Sequence, residues 1–577
     1  MSVSFSKTIS ITPERHHGLE ENQMRYQPSF TPEISHSDRG KLVRRLALAS
    51  AVLLASVGAA SIARADSYVS GADAAVVDTK AGEIVGAQHD GVFSYLGVRY
   101  ATAERFMPPK PVEPWEGTKP AVTYGENCFI PDMKTVAGDE LFNPHRYLPM
   151  SENCQYLNIW TKGIKDGAKR PVMVWLHGGG YTNGSGIELT SYDGENLARK
   201  GDAVVITLNH RLNVLGFLDL SAYGPEYKQS GNASMADLVA ALQWVKDNAE
   251  AFGGDPNNVT IFGQSGGGSK VRTLMGLPAA KGLFHKAIVQ SGATTSPVTS
   301  QKSAQRVAEL TLKNLGLDGS KVGDLKTVPY PKLLEAATKA LDEAKKEGDP
   351  NPRWAPVVDA AYLPRDPVGD AWVDQARDIP LLIGTVLNES ETIIRNNPAV
   401  LYADNKNKWT DERAQAKLKE RFGDKANAVG KAFLEAYPNK KLSDAFFVDL
   451  SGRPGTLKNT QLKAKQGGAP VYSYVFSWES PAMGGIGMSW HCSEISHVFA
   501  NAALVATATG GGADAVAMSE KMSQAWVNFA RSGNPSHKGL PEWPAYTVEK
   551  GATMIFDNNS EVRFNHDLPL LKAAGVM

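Results

Sequence analysis

The sequence predicts an α/β domain, a large and mostly parallel central sheet with helices on both faces, and three observations carry that reading. Short apolar, often β-branched runs at 172–176, 204–208, 259–262, 287–289, 381–383 and 471–476 have the length and composition of buried strands. Between the second and third lies 236–252, where Leu238, Val239, Leu242 and Val245 recur at helical spacing before Gly253 and Gly254 end the pattern. Strand, helix, strand is the unit of a parallel sheet, and no internal repeat or long linker breaks the chain into separate folds.

Taken in order, the chain opens with a segment that does not belong to the fold. Lys41, Arg44 and Arg45 precede an apolar stretch, 46–60, that ends at Ala63-Arg64-Ala65, a small-x-small pattern before Asp66. About 15 apolar residues are too few to span a bilayer comfortably. Residues 1–65 are therefore expected to be a signal peptide with an extended polar n-region, and 66–577 the mature domain, secreted or periplasmic with no stable membrane anchor. Residues 73–124, with alternating apolar positions and Gly91, Gly97, Pro108 and Pro109, read as a small antiparallel meander. The charged segments 301–350 and 404–450 read as helices layered outside the sheet or over the site.

Composition narrows the function. An apolar content of 42% in 577 residues supports a large core. Formal net charge is zero, and no Lys/Arg run lies beyond the N-terminal segment, so nucleic acid is not an expected partner. A small, uncharged ligand fits better, and neither cofactor nor metal is expected. Of the three cysteines, Cys128 and Cys154 flank a loose excursion, and a bridge between them would contribute on the order of 3 kcal/mol by loop entropy. Cys492 then remains as a free thiol. Oligomeric state is not legible.

The chemistry centres on Gly263-Gln-Ser-Gly-Gly267, directly after the run 259–262 and before a stretch with no helix breaker until Gly276. A serine on such a tight strand-to-helix turn exposes its hydroxyl above the sheet, with a helix N-terminus behind it. Serine is a poor nucleophile at neutral pH, so Ser265 needs a base, a group to orient that base, and donors for the oxyanion. The run 172–176 leads into His177-Gly178-Gly179-Gly180-Tyr181, where three glycines allow consecutive backbone N–H groups to face a cavity.

With these two motifs the chain resembles the type B carboxylesterases, the cholinesterase-like branch of the α/β-hydrolases, from about residue 76 to 557. Further matching segments are Ser94-Tyr-Leu-Gly-Val-Arg-Tyr-Ala101, Ser151-Glu-Asn-Cys-Gln-Tyr-Leu-Asn158, Asn209-His-Arg-Leu-Asn-Val-Leu-Gly-Phe-Leu218, Phe284-His-Lys-Ala-Ile-Val-Gln-Ser-Gly292 and Gly533-Asn-Pro535. The resemblance implies an α/β-hydrolase fold and a catalytic triad in the order Ser, Glu, His. Leu382-Ile-Gly384 leads to Asn388-Glu389 at the family's spacing for the acid, with Glu391 a nearby competitor. His491, in His491-Cys-Ser-Glu-Ile-Ser-His-Val-Phe499, takes the histidine's place, and His497 in the same run reads as structural. Gly179, Gly180 and Gly266 would supply the oxyanion N–H groups, and Ser291 resembles the serine that supports the triad from behind. The pairing of Cys128 with Cys154 matches the family's first disulfide.

Departures from the family sharpen the expectation. Gln264 stands where a Glu usually precedes the nucleophile, which removes a negative charge, and Gly266 replaces the usual Ala, which keeps the N–H while loosening the turn. Phe142-Asn143-Pro144 occupies the place of the cholinesterases' choline-binding Trp, and a quaternary ammonium prefers Trp to Phe. Phe142, Tyr181, Trp490 and Met488 suggest an aromatic-lined, apolar pocket. The expected activity is hydrolysis of small, uncharged, apolar or aromatic esters through an acyl-enzyme. Two alternatives are a catalytically silent cholinesterase-like adhesion or binding module, and an amidase or lactonase using the same three residues.

Overall fold

Twelve strands form the main sheet of the computed structural model: β1 (Val69–Ser70), β2 (Ala87–His89), β3 (Val92–Arg99), β4 (Tyr156–Thr161), β5 (Arg170–Leu176), β6 (Val204–Leu208), β7 (Gly254–Gln264), β8 (Lys286–Gln290), β9 (Leu381–Val386), β10 (Val471–Phe476), β11 (Ala552–Phe556) and β12 (Glu561–Phe564). The structure describes residues 68–71, 73–132, 138–293 and 297–577. The expected signal peptide lies outside them. The chain divides into two units, Met1–Ala65 and Asp66–Met577, and the architecture here is that of the second.

Across the sheet the order is β1, β2, β3, β4, β6, β5, β7, β8, β9, β10, β11, β12. From β6 to β11 every neighbouring pair is parallel, while the pairs from β1 through β4 to β6, and the β11–β12 pair, are antiparallel. The expected N-terminal meander divides between two sheets. Val76–Thr79, Gly82–Val85 and Thr118–Pro120 form a separate three-stranded sheet, whereas β2 and β3 extend the main one. Gly86, between Val85 and β2, explains the change of sheet: a Cβ there would meet the Ser94 carbonyl at 2.3 Å.

Alternation along the strands builds two cores. In β5, Val172, Val174 and Leu176 face one side, where Leu238, Leu242 and Val245 of helix α1 (Ala233–Asn248) and Val271 and Leu274 of helix α2 (Gly266–Gly276) cover them. Met173 and Trp175 face the other side, against Met522, Trp526 and Phe529 of helix α3 (Ala513–Ser532). Both faces of the sheet are thus covered, which is why its central strands read as continuous apolar runs. Among the described residues no helix is long and apolar enough to cross a membrane.

Register places the chemistry. Gly263 of β7 pairs with Leu176 of β5, Gln264 with Gln290 of β8, and Gln290 in turn with Gly384 of β9. The C-terminal ends of four neighbouring strands therefore stand level, and the loops leaving them carry residues 177–180, Ser265, Ser291 and Glu389. Ligands of open parallel sheets bind outside these strand ends.

Candidate active site

Ser265 has φ +57° and ψ −123°, a conformation that L residues adopt at a cost of order 1–3 kcal/mol. The surroundings hold it there: its N–H donates to the Gln290 carbonyl at 2.8 Å, and its own carbonyl accepts from Ser269 N at 3.1 Å as α2 begins. Gly263 and Gly267 are required beside it, because a Cβ at either would lie within 2.6 Å of the other strand's or the turn's backbone. The serine lines a cavity of ≈ 550 Å³ together with Gly178, Gly179, Gln264, Glu188, Tyr192, His491 and Cys492.

His491 reaches the same cavity from the loop after β10, with about a quarter of its side chain exposed. Its Nδ1 is hydrogen-bonded to Glu389 Oε2, and its backbone N–H donates to the Glu389 carbonyl at 3.2 Å. The buried Glu389 carboxylate accepts through Oε1 from Val386 N at 3.2 Å. Asn388 N also donates to the Ser489 carbonyl, so the two loops are joined by backbone as well as side chain. Burial opposes a charge on His491, but the Glu389 charge and hydrogen bond, with Glu494 and Asp449 behind, hold its pKa above the ordinary value. No hydrogen bond joins the Ser265 hydroxyl to the imidazole among the described residues; the two share the cavity, and Nε2 is the ring nitrogen left free of Glu389. Glu391 instead faces Arg395 and Arg421 at the surface.

Gln264 is fully buried and touches both partners of the site. Its Oε1 accepts from the Cys492 thiol at 3.2 Å, and its Nε2 lies 3.3 and 3.4 Å from the two nitrogens of the His491 ring. Burial, then the Glu494 charge, pushes the Cys492 thiol well above its ordinary pKa, so it sits by the site as a neutral donor. Cys128 and Cys154 are bridged. Ser291 is buried at φ +49°, tied by its N–H to the Gly384 carbonyl, but its hydroxyl has no hydrogen-bond partner among the described residues, Glu389 included.

The glycine loop after β5 shows why glycine follows Ser265. Gly179 and Gly180 have φ +77° and +62°, and their N–H groups donate to no protein acceptor among the described residues. Gly266 does not act by loosening the turn. A Cβ on it would stand 2.3 Å from the Gly180 carbonyl oxygen and 2.5 Å from the Gly180 nitrogen, so the missing side chain lets the loop close directly onto the turn.

The expected pocket residues lie elsewhere. Phe142, Met488 and Trp490 are buried in a satellite cluster with Ile393, Leu401 and Phe447, Phe142 packing on Trp490 at 5.3 Å. Tyr181 packs edge-on to Phe217 at 5.2 Å. Burying each ring fully among apolar neighbours removes more surface from water than lining an open cavity would. The wall is made instead by the excursion between the bridged cysteines, including Asp132, Asp139, His145, Arg146, Tyr147, Leu148 and Met150, and by Ile394. The sequence reading also passed over Glu494, although it lies inside the histidine motif: burial and the Glu389 charge push it up to about 7. Lys270 was likewise passed over, a basic residue on the apolar face of α2 beside Val271 and Leu274.

A strained serine at a strand-to-helix turn, an imidazole held by a buried carboxylate and a loop of free glycine amides, all above the ends of parallel strands, define an α/β-hydrolase. Residues 73–569 match the Carboxylesterase family, and the chain belongs to it as a carboxylic ester hydrolase. It is 34% identical to para-nitrobenzyl esterase of Bacillus subtilis over 501 residues, 85% of this chain and 96% of that protein. It is 33% identical to phenmedipham hydrolase of Pseudarthrobacter oxydans, over 84% of this chain and 96% of the relative. Among solved structures, an esterase from Clostridium hathewayi that can hydrolyze aliphatic aromatic polyesters superposes with a TM-score of 0.82 at 41% identity, covering 89% of this chain and 99% of its own.

Proposed function

We propose that Ser265, His491 and Glu389 form the triad of an exported esterase that works through an acyl-enzyme. His491 Nε2 takes the Ser265 proton as the hydroxyl oxygen attacks the ester carbonyl, then gives it to the departing alcohol. Glu389 keeps the second ring proton on Nδ1 and stabilises the imidazolium. The N–H groups of Gly179, Gly180 and Gly266 receive the oxyanion, each worth about 3 kcal/mol of barrier. Water, deprotonated by the same imidazole, then cleaves the acyl-serine. The observation that carries this reading is that the Glu389-bonded imidazole and the strained serine line one cavity beside unengaged glycine amides. A fluorophosphonate probe should label the wild-type chain once and leave Ser265→Ala unlabelled; labelling that survives the substitution overturns it.

The substrates fitting the cavity are esters with apolar or aromatic groups, whose bulk rests at the opening. Tyr147, Met150 and Ile394 line the cavity and remain 59%, 39% and 37% exposed, an apolar rim around the entrance. The activities named for the relatives, para-nitrobenzyl esterase, phenmedipham hydrolase and an esterase that can hydrolyze aliphatic aromatic polyesters, favour aromatic esters. The leader at 1–65 favours export, where the disulfide persists. A panel varying acyl and alcohol parts separately tests the substrate class: aromatic esters should exceed short aliphatic and choline esters in kcat/KM.

A further inference from the structure

Lys270 occupies an unusual position for a cation. It lies five residues after the nucleophile on α2, with no exposed surface, on a face otherwise given to Val271, Leu274 and Met275. Among the described residues its one side-chain hydrogen bond is from Nζ to the His177 carbonyl oxygen, at 2.9 Å. His177 begins the oxyanion loop and is itself fixed from the side, its ring stacked on the buried His210 ring at 4.9 Å and 18°. The opposing charge that acts on it is Glu188, in the cavity wall, whose carboxylate accepts from the Tyr192 hydroxyl at 3.2 Å.

An ammonium in such a place is expensive, and a methionine or leucine would fill the space at no electrostatic cost. What an apolar chain lacks is a donor that ties the helix behind the serine to the peptide ahead of the oxyanion glycines. Gly266 makes the complementary contact from the turn itself, its hydrogen-only α-carbon pressed against Gly180. The loop is thereby fastened to the nucleophile's helix at both ends, at residue 177 and at residue 180.

We propose that Lys270 is a positioning residue that braces the oxyanion loop, holding the Gly179 and Gly180 amides at the height of the Ser265 hydroxyl through its bond to the His177 carbonyl. The proposal rests on the reading of those amides as the oxyanion hole. Burial lowers Lys270 to about 7, with Glu188 opposing, and either protonation state retains an N–H for the carbonyl.

The test uses the full chain with Lys270→Met, which keeps the stem and loses the donor. With a para-nitrophenyl ester, kcat should fall 10- to 100-fold while KM stays within threefold, because a displacement of about 1 Å in catalytic groups costs on that scale. Affinity for a trifluoromethyl ketone, whose serine adduct carries the oxyanion, should weaken in parallel with kcat/KM, with the melting temperature unchanged or raised. A folded variant with kcat within twofold of wild type, a loss confined to KM, or undiminished ketone affinity overturns the proposal. If Lys270→Met does not fold, Lys270→Leu, which also lacks a donor, carries the same test; failure of both to fold also overturns it in favour of a structural role. Fluorophosphonate labelling of wild type separates this outcome from the other: an unlabelled wild type refutes the serine mechanism itself, whereas labelled wild type with an unaffected Lys270→Met refutes only the brace.

Discussion

The floor and the wall of the cavity obey different rules. The floor is backbone: strand ends in register, a serine at positive φ, and glycines where a Cβ would collide with a neighbouring main chain. The wall is side chains from the 128–154 excursion and the loop around Ile394, chosen by how apolar groups divide between cavity and core. Geometry on the floor tolerates almost no substitution, while the wall is a matter of degree.

The contrast is sharpened most by Ser265→Ala, which should reduce kcat on the order of 10⁶-fold by analogy with removal of a serine-protease nucleophile, with thermal unfolding unchanged. Retained turnover would detach the floor from the chemistry. Gly266→Ala installs the residue most of the family carries, and ordinary reasoning would have it neutral. Here the added methyl must push Gly180 away, so kcat should fall on the order of 10²-fold; an active Gly266→Ala would show that the loop yields freely.

At the wall, Phe142→Ala should cost about 3 kcal/mol of stability by leaving a void against Trp490. Tyr147→Ala should leave stability alone and raise KM for aromatic esters a few fold, since it is exposed at the rim. If Phe142→Ala changed ester preference and Tyr147→Ala did not, the assignment of core and rim would be reversed. The smallest effect is on pH. His491 must be neutral to accept a proton, and its raised pKa means that it gains its charge at higher pH than an ordinary histidine. The acid limb of kcat/KM should therefore have its midpoint above 6.5. A midpoint at or below 6.5 would contradict the role given to Glu389.

The same contrast decides what the sequence could reveal. The runs 204–208 and 471–476 match β6 and β10 residue for residue, and 236–252 lies within α1 and the turn after it, because burial on both faces leaves an apolar signature. Ser265 and the glycine loop drew attention because a tight turn or a free amide restricts the residue type, whereas Glu389 and His491 were picked out only by their place in the family's motifs, and the structure joins those two by a hydrogen bond. β4, with Asn158 and Thr161 among its apolar residues, and β12 left no such run, while the buried apolar run of β11 was not among those read as strands. Phe142 and Trp490 were misplaced since an aromatic side chain beside a motif looks the same whether it faces a cavity or a core. Lys270 broke the pattern of its helix visibly, yet only its distance to the His177 carbonyl gives that break a meaning.

The bridge between Cys128 and Cys154 joins the two ends of the excursion that supplies much of the wall. In a reducing compartment that frame would come undone while the strand ends beneath kept their alignment. Electron balance outside the molecule would then govern how selectively it discriminates among esters, and leave its capacity to break them intact.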